Sequence, residues 1–273
     1  MSALLEKQVR DYQKWRDELA AAITVYQDWL DDHQEFEAQQ SLKLYDLLES
    51  LKQDHVTLAF VAEFSRGKSE LINALFFADF KQRLLPSDAG RTTMCPTELF
   101  YDPREEPFIR LLPIETRYRD ETISQFKRKP IEWVSTRLNL NSADAMSEAM
   151  QSLTQTKLVT KVEARTLGLW DDKDSTMQEM VRGDRVEIPV WRHALINYPH
   201  PLLKNGLAIL DTPGLNALGS EPELTLSMIP NAHAVLFLLA LDSGVTKSDM
   251  EIWQNHVQKH AKHTIAVLNK IDV

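Results

Sequence analysis

Hydrophobic side chains recur at helical spacing along the first 53 residues of the chain. They stand three or four positions apart from Leu5 to Leu30, and a second stripe continues from Phe36 to Leu51. This stretch contains neither glycine nor proline, so it predicts one or two long amphipathic helices. So long a stripe needs a large apolar partner surface, and we therefore expect residues 1–53 to form half of a helical bundle. Packing of this segment on its own domain is the alternative.

The hydrophobic period changes at residue 54. Short apolar runs rich in β-branched residues now alternate with stretches of helical spacing, and this alternation predicts an α/β fold with a mostly parallel sheet covered on both faces. The predicted strands are 56–61, 97–101, 108–112, 194–198, 207–210, 234–240 and 264–268. The predicted helices lie near 68–77, 120–138, 143–153, 221–230 and 246–262. Residues 113–185 are polar and irregular in pattern, so we expect an insertion there within a domain of residues 54–273.

Composition and charge narrow the class of function. The net charge of −9 lacks the basic footprint of a nucleic-acid binder, so no nucleic-acid partner is expected. Cys95 is the only cysteine, which excludes an internal disulfide and fits a reducing cytosol. The longest apolar run, residues 234–241, is too short to cross a bilayer, and the N-terminus has no signal-like apolar segment. We expect a cytoplasmic protein, with association at the inner face of a membrane still open.

The stretch FVAEFSRGKSELINALFF, residues 60–77, carries the first candidate chemistry. It fits the phosphate-binding pattern G-x-x-x-x-G-K-[ST], except that Ala62 stands at the first glycine; an alanine costs about 1 kcal/mol there if the backbone needs a positive φ. A strand-to-helix turn offers backbone N–H groups and the positive end of the helix dipole to phosphates. Lys68 would reach the β- and γ-phosphates, and the Ser69 hydroxyl would ligate Mg²⁺. The predicted nucleotide-binding residues of this loop are Glu63, Phe64, Ser65, Arg66, Gly67, Lys68, Ser69 and Glu70.

Two further motifs follow predicted strands. In LAILDTPGLN, the carboxylate of Asp211 can hold a Mg²⁺-bound water, and the N–H of Gly214 can contact the γ-phosphate. In TIAVLNKIDV, which supplies Asn269, the carboxylate of Asp272 can accept two hydrogen bonds from the N1–H and N2–H₂ edge of guanine, while the stem of Lys270 packs over the base. Because doubly wound sheets bind ligands at the carboxyl ends of their strands, the three motifs together predict a guanine-nucleotide site, and an ATP site conflicts with Asp272.

Over residues 54–273, and in the helix that precedes them, the chain resembles the dynamin-like family of large GTPases, in particular its bacterial branch. The stretches EFSRGKSELINALF, LLPSDAGRTTMCPTELFY, VEIPVWRHALINYPHPLLKNGLAILDTPG and NKID carry the resemblance. It implies a P-loop GTPase fold with a Rossmann-like three-layer arrangement. It also implies Mg²⁺ as cofactor, GTP and GDP as ligands, a homodimer formed through the GTPase domains, and action on a membrane.

The same resemblance implies particular roles. Thr93, with Thr92 as the nearest rival, would be the switch I threonine that faces Mg²⁺ and the attacking water, so the expected metal ligands are Ser69, Thr93 and Asp211. Leu215 stands where small GTPases have a water-orienting glutamine. The residues expected to carry catalysis are Ser65, Arg66, Lys68 and Thr93. Arg66 would offset charge in cis between the β- and γ-phosphates, or it is a residue of the loop rim.

The leading hypothesis is a GTP-hydrolysing mechanoenzyme, and the alternative is a slow GTP-binding switch or scaffold that recruits a protein partner. Domains of this type continue past the guanine motif, and the chain ends at Val273; we therefore expect it to be part of a longer protein and to be weakly active as given. His256, His260 and His263 have spacings that two zinc ligands could use. A zinc site is not expected, because no Glu or Cys completes the set.

Overall fold

The computed structural model describes residues 3–32, 55–63, 65–88, 91–92, 95–170, 181–212 and 229–271, together with the single residues 44, 48, 51 and 172. The chain divides into two compact units, Met1–His55 and Val56–Val273. Within the described ranges, no helix is both long and apolar enough to cross a bilayer.

In the first unit, helix α1 spans Ala3–Asp32. Two aromatic pairs lie on this helix: Tyr12 with Trp15, whose ring centroids are 5.9 Å apart, and Tyr26 with Trp29, at 6.3 Å. All four rings are about half exposed. The amphipathic helix predicted for the start of the chain is therefore present, while most of the second predicted stripe, from residue 36 to 51, lies outside the described residues.

The second unit is built on a mixed sheet. The described part of the sheet has eight strands in the order β13-β12-β1-β11-β4-β10-β5-β6. Four of the seven neighbouring pairs are parallel and three are antiparallel. Its strands are β1 Val56–Val61, β4 Thr97–Phe100, β5 Phe108–Pro113, β6 Val134–Arg137, β10 Trp191–Asn197, β11 Leu207–Asp211, β12 Ala234–Ala240 and β13 Thr264–Asn269.

Two halves of this sheet differ in character. Strands β13, β12, β1 and β11 run parallel to one another, and we call them the parallel half. Strand β4 is antiparallel to β11, and β5 is antiparallel to both β10 and β6, so we call β4, β10, β5 and β6 the mixed half. The mostly parallel sheet that the sequence predicts is thus confirmed, and its antiparallel pairings lie in the mixed half and at its border with the parallel half.

Helices flank both faces of the sheet, as the alternating pattern requires. Strand β1 shows why: Phe60 packs in one apolar cluster with Ile72 and Phe76, while Val61 packs in another with Ile252 and Val257. A central strand with apolar side chains on both faces must be covered on both. The α-helices in the described part of this unit are α2 Lys68–Phe76, α3 Ile123–Lys127, α4 Ala143–Gln151, α5 Lys161–Thr166, α6 Pro201–Lys204, α7 Ile229–Asn231, α8 Lys247–Ile252 and α9 Gln258–His260, with a π turn at Trp253–Val257.

Residues 113–185 are more ordered than their sequence pattern indicates. Strand β6 lies inside the predicted helix 120–138, so that part of the helix prediction was wrong; β6 is an exposed edge strand, and an exposed edge carries no alternating apolar signal. Three more strands, β7 Thr156–Thr160, β8 Val181–Arg182 and β9 Arg185–Pro189, form a separate antiparallel sheet. That sheet packs with α5 around Val159, Trp170 and Ile188 in a small apolar core of its own.

Candidate nucleotide site

The phosphate loop connects β1 to α2 at the carboxyl end of the parallel half. Gly67 caps α2 in the left-handed conformation, with φ of 79°, which glycine adopts without steric cost. Ser65 also has a positive φ, 61°, which is uncommon for a side chain with a Cβ atom. Ala62 is not among the residues with positive φ, and it is fully buried. The substitution at the first glycine of the motif therefore introduces no backbone strain.

Lys68 and Asp211 form a buried ion pair at this loop. Nζ of Lys68 donates to Oδ1 of Asp211, and both side chains are less than a tenth exposed. The pairing of β1 with β11 places them together, since Phe60 lies opposite Asp211 in the parallel ladder. Thr212, the residue after Asp211, is held to β1 because its hydroxyl donates to the carbonyl of Phe60 at 2.8 Å. Two motifs that are 143 residues apart thus meet through one side-chain contact.

The guanine motif reaches the same loop. Asn269 ends β13, and its Nδ2 donates to the carbonyl oxygens of Arg66 and Gly67 at 2.9 and 3.4 Å. Nζ of Lys270 donates to Asp242 at 2.9 Å, and this hydrogen bond holds the pKa of Asp242 below its ordinary value. Asn269 therefore contacts the backbone of the loop, and Lys270 is held by the segment that follows β12.

Arg66 has a different set of partners from Lys68. Its guanidinium contacts Asp249 through Nε at 3.2 Å and Nη2 at 2.8 Å. Nη2 also donates to Glu63 and to Thr246, and Nη1 donates to Ser243. The side chain is only 7% exposed, so Arg66 is neither a solvated rim residue nor free of protein contacts in this conformation. Its expected role in offsetting phosphate charge stays a prediction.

Asn73 on α2 holds the segment that leads to the predicted switch I. Oδ1 of Asn73 accepts hydrogen bonds from the backbone N–H groups of Leu84 and Leu85, and Nδ2 donates to the carbonyl of Leu85. The chain then forms a short hairpin of two strands, β2 Ser87–Asp88 and β3 Arg91–Thr92. Thr92 ends this hairpin, directly before the expected catalytic Thr93.

The structure describes some of the other predicted site residues and leaves four outside the described part of the chain. Phe64, Thr93, Gly214 and Asp272 lie outside the described residues, so their roles stay predictions. Ser69 is buried in the first turn of α2, beside Lys68. Glu70 forms an ion pair with Arg83 at 3.0 Å on a more exposed part of the helix.

The chemistry of the described donors fits a magnesium ion. Mg²⁺ takes oxygen ligands and is held in nucleotide sites by one or two protein oxygens together with phosphates. The hydroxyl of Ser69 and the carboxylate of Asp211 are oxygen donors, and both are buried.

No group of three His, Cys, Asp or Glu residues suited to a metal occurs in the described part of the chain. At His256, one of the three histidines with zinc-ligand spacing, burial and the charges of its neighbours lower the pKa.

Sequence reasoning missed the residues that hold the loops in place. Asn73, Ser243, Thr246 and Asp249 contact the switch I segment or Arg66, yet the first two stand in no recognisable motif. The pair Thr246 and Asp249 did carry a signal, because a threonine followed three residues later by an acidic residue is a capping box. The structure shows that box at the start of α8.

An α/β sheet whose phosphate loop, Asp211 and Asn269 meet at the carboxyl ends of parallel strands has the fold of the P-loop GTPases. The family model described as the dynamin family matches residues 58–271. The chain therefore belongs to the dynamin family, which confirms the resemblance in its sequence.

Two curated relatives are bacterial. A bacterial dynamin-like protein of Nostoc punctiforme is 24% identical over 223 residues, covering 82% of this chain and 26% of that protein. Dynamin-like protein 2 of Campylobacter jejuni is 24% identical over 230 residues, covering 84% and 28%. The chain thus spans about a quarter of the length of these relatives. A solved structure of an oligomerised bacterial dynamin pair superposes with a TM-score of 0.47 at 18% identity, covering 93% of this chain and 36% of that one.

Proposed function

We propose that this chain binds GTP together with Mg²⁺ and hydrolyses it to GDP and phosphate. The observation that carries the proposal is the convergence of Lys68, Asp211 and Asn269 on one loop at the carboxyl end of the parallel half. Each of these residues comes from a different motif, and each stands where a doubly wound sheet binds its ligand. Family membership adds that relatives of this chain are GTPases in general.

Binding of nucleotide would replace the internal partner of Lys68. The ammonium group now lies against Asp211, and phosphate oxygens would take it over while the Asp211 carboxylate turned to the metal. Mg²⁺, when bound, would neutralise the negative charge that the β- and γ-phosphate oxygens share. Ser69 would ligate the metal through its hydroxyl. The N–H groups of the loop, at the start of a nine-residue helix, would bind the phosphates directly.

Guanine specificity would rest on Asp272, in the same motif as Asn269 and Lys270. Asn269 holds the strand that carries this motif against the phosphate loop, so base and phosphate recognition share one rigid support. Lys270 is held by Asp242, which orients its stem at the rim where the base would lie. We therefore propose GTP and GDP as the ligands and expect ATP to be rejected.

We also propose a larger mechanism, in which two GTPase domains pair when GTP binds and separate after hydrolysis. Helical parts of the protein would transmit this motion to the inner face of a membrane. Family membership supports this proposal. The alternative, a slow GTP-binding switch, is favoured by one observation: all three nitrogens of the Arg66 guanidinium contact protein groups, and Lys68 is the other cationic side chain of residues 62–69.

Two measurements test these proposals. Calorimetric titration with GDP, GTP and ATP, each with Mg²⁺, should show binding of the guanine nucleotides only; equal affinity for ATP would contradict the base assignment. GTP turnover per molecule should then rise with protein concentration if domains pair. A slow rate that is independent of concentration would support the switch. Sedimentation with anionic vesicles in the presence of GTP tests the membrane step.

A further inference from the structure

Arg66 and Asp249 form a buried, two-pronged ion pair beside the phosphate loop. Two nitrogens of the guanidinium contact the two carboxylate oxygens, at 3.2 and 2.8 Å. Arg66 is 7% exposed and Asp249 is fully buried. An arginine fork that matches a carboxylate in this way fixes orientation as well as distance, which a lysine at the same place would not do.

The pair belongs to a larger cluster that joins the loop to the start of α8. Thr246 and Asp249 cap α8 reciprocally: the hydroxyl of Thr246 accepts from the N–H of Asp249 at 3.1 Å, and the carboxylate of Asp249 accepts from the N–H of Thr246 at 2.9 Å. The hydroxyl of Thr246 also donates to Glu63 at 3.1 Å. Glu63, Arg66 and Asp249 therefore share one hydrogen-bonded cluster.

The charges of this cluster depend on Arg66. One guanidinium lies between the two carboxylates of Glu63 and Asp249. Without it, two like charges would face each other with little access to water, which is strongly unfavourable. The cluster therefore directs the guanidinium of Arg66 toward α8, and each of its three nitrogens contacts a protein group.

We infer that Arg66 is a positioning residue of the phosphate loop that acts through Asp249, and not a group that contacts the reacting phosphates. The ion pair holds the loop, including Ser65 at φ of 61°, against the segment between β12 and α8. A loop fixed in this way presents its N–H groups to phosphates without having to be ordered on binding. The inference rests on the proposed binding of guanine nucleotides.

The same segment also reaches the base side of the site. Asp242, two residues after the end of β12, accepts the hydrogen bond from Lys270, while Ser243 accepts one from Arg66. Adjacent residues of one turn thus contact the phosphate motif and the guanine motif. The positioning that we infer accordingly extends to both halves of the nucleotide.

A double-mutant cycle tests the inference. The variants are Arg66→Ala, Asp249→Asn and the two combined, with GDP and GTP affinity measured by calorimetry and kcat measured at saturating GTP. We expect each single change to weaken both nucleotides by the same factor, about tenfold, since residues that share one ion pair couple by up to a few kcal/mol. The double variant should be no weaker than the poorer single variant. Arg66→Lys should be intermediate, because it retains charge without the fork.

The outcome that overturns the inference is specific. If Asp249→Asn leaves GDP affinity unchanged, or if Arg66→Ala lowers kcat further in the Asp249→Asn background without affecting GDP, Arg66 acts on the reacting phosphates. Hydrogen exchange without nucleotide gives a second readout: the amides of residues 65–69 should exchange faster in Asp249→Asn than in the wild type. Unchanged exchange there contradicts the inference. If the wild-type chain binds neither nucleotide, the proposed function fails, and the exchange measurement still decides the positioning.

A matched pair elsewhere in the chain controls for general damage. Arg119 also makes a two-pronged contact, with Glu132 through Nη1 and Nη2 at 2.9 and 2.8 Å, at a more exposed place near α3 and outside the nucleotide site. Arg119→Ala and Glu132→Ala should leave nucleotide affinity and the exchange of residues 65–69 as they are in the wild type. A loss of affinity in these controls would attribute the effect to unfolding and overturn the inference. Thermal unfolding of each variant monitors the fold.

Discussion

The two halves of the main sheet carry different kinds of polar contact. In the parallel half, buried charged groups gather at the carboxyl ends of the strands, where Lys68 meets Asp211 and Arg66 meets Asp249. In the mixed half, the comparable pair of Glu98 and Lys127 links a strand to a helix on its flank. The first set lies where a parallel sheet binds ligands, and the second joins two structural elements. Position in the sheet therefore distinguishes these ion pairs: we expect the first set to take part in ligand binding and the second to stabilise the fold.

The strongest test of this contrast is Lys68→Ala. We expect affinity for GDP and GTP to fall by about 1,000-fold, because the phosphates lose a buried countercharge and the carboxylate of Asp211 is left without its partner. Calorimetry measures the loss. Lys127→Ala, in the mixed half, serves as the control and should bind GDP as the wild type does. Unchanged GTP affinity in Lys68→Ala would contradict the assignment of the phosphate site.

Thr93→Ala should separate binding from turnover. We expect kcat for GTP to fall by about 100-fold, the range seen when one group that stabilises a transition state is removed. GDP affinity should be retained, because Thr93 is expected to engage only when Mg²⁺ and the γ-phosphate are both present. Single-turnover hydrolysis measures the effect, with Thr92→Ala as the matched variant. A larger loss in Thr92→Ala would transfer the role to Thr92.

Asp272→Asn should change which base the parallel half selects. The oxygen of the amide accepts only one of the two hydrogen bonds that guanine donates. The NH₂ of the amide can donate a hydrogen bond to O2 of xanthine. We expect the preference for GTP over XTP to shift toward XTP by about 30-fold, the value of one hydrogen bond to a charged group. Competition between the two nucleotides measures it. Retained preference for GTP would exclude Asp272 as the residue that reads the base.

The smallest effect is expected in the mixed half. Burial would raise the pKa of Glu98, but Lys127 and His193 outweigh burial and hold the pKa below its ordinary value of 4.5. A depressed pKa in the folded state contributes stability above the unfolded pKa, and that stability is lost as the pH falls. Lys127→Ala should therefore lower the free energy of unfolding by about 1 kcal/mol at pH 7. Denaturant unfolding should show this difference narrowing below pH 4.5; a constant difference would exclude the ion pair as its cause.

The parallel half is the part that sequence predicts well. Its strands read as continuous apolar runs, and three of the four, β1, β11 and β13, lead into a motif that includes Lys68, Asp211 or Asn269. The mixed half is harder to predict because β6 is an exposed edge strand, and the separate small sheet is harder because β8 has only two residues. Within the site, sequence predicts the residues that belong to the three motifs. It does not identify Asp249, since a partner for Arg66 that lies 183 residues away is defined by tertiary packing alone.

The close approach of Gly67 and Asn269 restricts how the sequence of this site can change. A Cβ atom at position 67 would lie 2.5 Å from Nδ2 of Asn269, well inside van der Waals contact, and the φ of 79° already disfavours any other residue. A side chain at 67 would therefore displace the amide of Asn269 and with it the hydrogen bonds that Asn269 donates to the loop. Two distant positions in the chain thus form a single mutational unit. A change at either position therefore disturbs the same contact between the phosphate loop and the end of β13.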